Sequence, residues 1–121
     1  MSTTLRGFAK IIHFDPTTAD DFVIEADPDA GGSWLQGRIA VSHAELVSAF
    51  GAPTHNYSSD GKVQCEWDLR INGVACTIYD WKEDRVPERV RDWHIGGTDP
   101  AAVVMVRGAL AAWRSSLRRP S

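Results

Sequence analysis

At 121 residues, 43% hydrophobic and 24% charged, the chain has the make-up of one globular domain that can bury a core without metals or disulfides. A formal charge of −3 excludes general affinity for nucleic-acid backbone, which needs a basic face, and no apolar run approaches the roughly 20 residues of a membrane span. The opening Met1-Ser2-Thr3-Thr4-Leu5-Arg6-Gly7 has no apolar segment ending in a small-residue cleavage site, so the expected compartment is the cytoplasm.

Residues 7–14 and 21–26 read as short strands around Asp15-Pro16-Thr17-Thr18, a run of turn-initiating residues. A second turn, Asp27-Pro28-Asp29-Ala30-Gly31-Gly32, leads to a third strand over 34–41 with Gly37 as a bulge position. The simplest arrangement of the three is an antiparallel meander. Ser42-His43-Ala44-Glu45 is a capping box, in which the serine oxygen accepts from the fourth residue's amide and the glutamate reaches back to the cap. Leu46, Val47 and Phe50 supply the helix's apolar stripe, and Gly51 and Pro53 end it. The polar loop over 52–61 is of the kind that carries binding residues.

Residues 62–70 alternate polar and apolar without a miss, and Asn72-Gly73 supplies the two positive-φ positions of a type I′ turn. Closing the hairpin there sets Leu69 opposite Cys76, Trp67 opposite Ile78 and Cys65 opposite Asp80 on the apolar face. On the other face it pairs Asp68 with Thr77, Glu66 with Tyr79 and Gln64 with Trp81. A one-residue slip would turn every apolar side chain outward, so the register is well specified. Cys65 and Cys76 are then offset by about 13 Å along the strands, too far for a disulfide, and read as small buried hydrophobes. Tyr79 and Trp81, on the polar face, either pack under a helix or another chain or form a stacking surface.

A charged connection over 82–89 precedes a strand over 90–95. Thr98-Asp99-Pro100 starts the terminal helix, with Asp99 as cap and Pro100 at the first helical position. Val103, Val106, Leu110, Trp113 and Leu117 recur at three and four residues, a stripe that should lie on the sheet, and Arg114, Arg118 and Arg119 form a basic tail suited to the helix dipole.

The chain carries no phosphate loop, no Gly-x-Ser-x-Gly, no His-Glu-x-x-His and no zinc spacing, so neither cofactor nor metal is expected. Gly96-Gly97 before the terminal helix offers backbone amides to an anion, but a turn from strand to helix is the simpler reading. Asp80 and His94 are the acid and imidazole nearest the centre of the predicted sheet. An acid–base pair is one use for them; with no nucleophile beside them, a structural hydrogen bond is the expected one.

The words Ile78-Tyr79-Asp80-Trp81-Lys82 and Trp93-His94-Ile95-Gly96-Gly97, followed by a terminal helix, resemble small accessory proteins of bacteriophages and prophages, over about residues 45–110. Such proteins bind host proteins or sequester ligands. The short helix, Phe50-Gly51-Ala52-Pro53 and the Trp67 hairpin also resemble outer-membrane assembly lipoproteins and beta-lactamase inhibitor proteins, whose export signal and lipid-attachment cysteine are not matched here.

The expected fold is α+β: a single domain with one antiparallel sheet of about five or six strands, a short helix and a long C-terminal helix. The expected function is non-catalytic: an accessory protein that inhibits a host defence protein or holds a small nucleotide-like ligand through Tyr79, Trp81, Trp93 and His94, and self-associates as a homodimer. The alternative is a small enzyme acting on a nucleotide or phosphoester through His94 and Asp80.

Overall fold

The computed structural model describes residues 9–15, 20–27, 34–56, 58 and 60–117. The strands are β1 (Ala9–Asp15), β2 (Asp20–Ala26), β3 (Trp34–Ala40), β4 (His55–Asn56), β5 (Cys65–Ile71), β6 (Val74–Tyr79) and β7 (Asp92–Gly97); the helices are α1 (His43–Phe50) and α2 (Ala101–Leu117). Six strands lie side by side in the order β1-β2-β5-β6-β7-β3, all antiparallel, and the two-residue β4 pairs with the part of β5 that β2 leaves free. The fold is therefore α+β, as expected. The two N-terminal turns and the end of the basic tail, Arg118 and Arg119, lie outside the described residues.

The N-terminal meander is not what forms. β1 and β2 make a hairpin, but β3 pairs with β7 at the opposite edge. Long-range burial overrides sequence proximity here: β2 sets Ile24 against Ile71 and Ala26 against Leu69, whereas β3 sets Ile39 against Trp93.

The central hairpin has the register that its turn dictates. Trp67 pairs with Ile78, Leu69 with Cys76 and Glu66 with Tyr79, and Asn72 and Gly73 take φ of 50° and 83°. Asn72 also secures the neighbouring hairpin, accepting from the Val23 amide and donating its own to the Val23 carbonyl, both at 2.9 Å. On the apolar face Trp67, Ile78 and Ile95 form a fully buried row across three strands. Trp67 and Trp93 meet edge to face at 5.5 Å, and each indole N–H finds a carbonyl, that of Gly51 for Trp67 and that of Val41 for Trp93. Both cysteines are free and buried.

Two helices meet this core. α1 buries Leu46, Ala49 and Phe50 and carries the complete capping box; Glu45, its last member, also accepts from Arg114 at 3.2 Å, which ties α1 to α2. α2 begins behind Asp99, whose Oδ1 accepts from the Ala101 amide, and buries Ala102, Val106, Ala109, Leu110 and Ala112. Leu117, placed by its spacing on the buried stripe, is 66% exposed, because the helix has run past the sheet by its last turn. Alanines at the interface let α2 sit close. A Cβ on Gly97 would lie 2.7 Å from the Ala102 Cβ and 3.1 Å from the Ala75 carbonyl oxygen. Among the described residues no helix is long and apolar enough to cross a membrane.

Candidate functional site

Residues paired across adjacent antiparallel strands project to the same side, so the register alone defines what the second face of the sheet displays. His55 pairs with Glu66, Glu66 with Tyr79, Tyr79 with His94 and His94 with Arg38. Five strands thus contribute one unbroken row, His55-Glu66-Tyr79-His94-Arg38, roughly 19 Å long at the usual strand spacing. Every member ionises or hydrogen-bonds.

Three of the four residues expected to make contacts gather here. The Tyr79 ring meets His94 edge-on at 5.4 Å and Trp81 edge-on at 6.4 Å. Trp81 is 43% exposed, and the Lys62 and Lys82 ammonium groups lie 5.8 and 5.7 Å from its ring centre. Trp93 is not with them: alternation along β7 sends it into the core with Ile95, so only His94 between them reaches this face.

Asp80 and His94 are not brought together as an acid–base pair. Asp80 is fully buried at the open end of the hairpin, accepting from the Gln64 and Cys65 amides at 2.7 and 3.2 Å and from Gln64 Nε2 at 2.9 Å. Its role is structural, satisfying donors that the end of the ladder would leave bare. Gly96 and Gly97 likewise form no anion-binding turn: they end β7, paired with Leu35 and Trp34 and buried.

Beside the row lies a cleft of about 540 Å³ lined by Thr54, His55, Asn56, Ser58, Val63 and Glu66. Its outer wall belongs to the loop expected to carry binding residues. Thr54 clips that loop to β5, its amide donating to the Glu66 carbonyl and its Oγ1 accepting from the Asp68 amide. Further along, the Ser58 amide donates to the Val63 carbonyl, and Ser58 Oγ accepts from the Val63 amide and donates to Asp60.

Behind His55 and Glu66 sits Asp68, on the same face and 1% exposed. His55 Nε2 lies 2.9 Å from Asp68 Oδ2. The Asp68 carboxyl also faces that of Glu66, with which it shares a side-chain hydrogen bond. Burial raises the Asp68 carboxyl above its ordinary range. Burial, followed by the adjacent Asp68, pushes Glu66 up to about 8. Burial and the Glu66 charge raise Tyr79, while burial and then Arg38 lower His94. The low-dielectric setting thus favours the neutral form of each of Glu66, Tyr79 and His94.

His55, Glu66 and Asp68 were not singled out by the sequence. In the alternating strand Glu66 and Asp68 read as a solvated face, and His55 lies ten residues or more before them in a loop that only β4 folds against β5. The one available signal was a pair of carboxylates at i and i+2 on a strand, which must share a face. Among the described residues no three histidine, cysteine, aspartate or glutamate groups converge to hold a metal. Comparison with protein-family models, curated proteins and solved structures returned no match.

Proposed function

We propose that the protein works by binding, and that its ligand is a flat, nucleotide-like molecule held between the cleft and the aromatic row. One observation carries this reading: a polar cleft of small-ligand size opens beside Glu66, whose cross-strand neighbour Tyr79 leads to the exposed Trp81 flanked by two lysines. A base in the cleft would find hydrogen-bonding side chains and an aromatic edge. A phosphate would find Lys62 and Lys82, which act as point charges. Sequestration of this kind suits the phage accessory proteins that the Ile78–Lys82 and Trp93–Gly97 words resemble.

Calorimetric titration with the nucleoside 5′-monophosphates tests the proposal. Binding is expected for at least one of them, weakened about tenfold or more when Lys62 and Lys82 are both replaced by alanine, the scale of one lost charge-assisted contact. Absence of binding by any of them would overturn it.

The His55–Asp68 approach favours a second reading, an enzyme acting on a nucleotide or phosphoester. An imidazole against a buried carboxylate is a general-base arrangement, and it replaces the separated His94 and Asp80 in that role. Under this reading His55→Ala abolishes product formation and leaves ligand affinity in place.

A further inference from the structure

We infer that the outer edge of β3 docks an extended, acidic segment of another protein, which pairs with it as an added strand. This surface is separate from the small-ligand site: it lies on one rim of the sheet and uses none of the cleft residues.

The two ends of the sheet differ. β1, at one end, is packed against α2, whereas the outer side of β3, at the other, has no strand beside it among the described residues. The ladder to β7 decides which backbone groups that side presents. Val41 continues the β3 register opposite Arg91, and its amide donates to the Arg91 carbonyl at 3.0 Å, so the two form a hydrogen-bonded pair. Bonded and non-bonded pairs alternate along an antiparallel ladder. Ile39 therefore turns its backbone groups toward β7, while Ala40 and Arg38 turn theirs outward. The Arg38 carbonyl confirms the phase, since it accepts from Arg107 Nη2, on α2, at 2.6 Å. The Arg38 amide and both backbone groups of Ala40 thus face an incoming strand, the arrangement that strand addition exploits.

The side chains along this edge define the segment that fits it. Trp34, Leu35 and Val104 are exposed. Val103, next to Val104, lies directly under Gly37, where a Cβ would come within 2.9 Å of its Cγ2, so the helix sits close enough for an added strand to touch both. Charge decides the rest. The chain carries −3 overall, yet Arg38 and Arg107 are both exposed at this rim. Asp92 lies 3.4 Å from Arg38, whereas Arg107 donates only to a carbonyl and meets no carboxylate among the described residues. A carboxylate on the incoming strand would draw Arg107 into a charge-assisted pair and release the Arg38 carbonyl to the new ladder. The edge therefore suits an alternating apolar segment with aspartate or glutamate, and disfavours one with lysine in those places.

The probe is the end-capped peptide Thr-Val-Asp-Val-Asp-Val-Thr, compared with the peptide in which lysine replaces both aspartates. The aspartate peptide should bind with a Kd below about 1 mM, and at saturation should slow amide exchange about tenfold at Arg38 and Ala40. The lysine peptide should bind about tenfold more weakly, and Arg107→Glu, at an exposed helix position, should reverse that order. N-methylation of the aspartate peptide at alternate residues, in one phase or the other, should cost about tenfold in only one phase, because a strand pairs through one of its edges. No binding, equal affinity for the two peptides, or binding that leaves Arg38 and Ala40 exchanging as in the free protein would overturn the inference. Slow exchange there that sets in with protein concentration alone would assign the edge to a second copy of the chain and overturn it likewise. None of these outcomes depends on nucleotide binding in the cleft.

Discussion

The raised Glu66 carboxyl links stability to pH in a direction opposite to that of most surface carboxylates. Glu66 ionises near 4.5 where no fold surrounds it and near 8 in the folded protein. Between those values the folded state holds a proton that the unfolded chain has released, so the contribution of this group is whole below about 4.5 and is lost as pH rises through 8. In urea unfolding, the wild type should lose stability from pH 5 to pH 8 relative to Glu66→Gln, which has no proton to lose. The same substitution should make the protein more stable than wild type at pH 8, because it removes a charge that the site disfavours. Parallel pH profiles for the two proteins would show that Glu66 titrates as an ordinary surface acid.

At the level of elements, the open end of the central hairpin depends on a side chain and not on a turn. Asp80 caps the ladder where the backbone pairing of β5 and β6 stops, taking two amides and a side-chain amide from Gln64 and Cys65. Asp80→Ala leaves those donors in a water-poor place, at about 1 to 3 kcal/mol for each one left unsatisfied. Denaturant unfolding of the variant should show a loss of at least about 1 to 3 kcal/mol, the cost of one such donor or more, accompanied by faster hydrogen exchange at the Gln64 and Cys65 amides. Unchanged exchange there would mean that water replaces the carboxylate without cost. The consequence extends beyond stability, since Lys62, Val63 and Glu66 all sit around this end of the hairpin, beside Trp81 or in the cleft wall.

At the scale of the molecule, the described residues cover the two faces of the sheet unequally. α1 and α2 both pack on the Trp67 face, while Trp81 remains exposed on the other. We propose that this patch pairs two copies of the chain about a two-fold axis, the commonest closed arrangement. Light scattering should give about twice the 13.3 kDa chain mass, and Trp81→Glu should return the protein to monomer. The competing surface is the open edge of β3, where Trp34 and Leu35 are 65% and 50% exposed and Arg107 shields part of the edge by donating to the Arg38 carbonyl at 2.6 Å. A dimer that survives Trp81→Glu and dissociates with Trp34→Glu would place the contact there.

Local signals determined the central hairpin, its register, the free cysteines, the capping box and the start of α2. Each depends on residues close in the chain: Asn72-Gly73 accepts positive φ, strict alternation permits one register, and Ser42 and Glu45 satisfy each other's backbone amides. From the same alternation Tyr79, Trp81 and His94 could be placed on one face. Tertiary structure alone decided that β3 crosses to β7, because strands choose partners by the apolar area they bury and not by proximity. It also decided the cleft: His55 meets Glu66 only because β4 occupies the stretch of β5 that β2 leaves unpaired. Asp68 shows the difference most plainly, since nothing in an alternating strand distinguishes a carboxylate in water from one that its neighbours have sealed away from it.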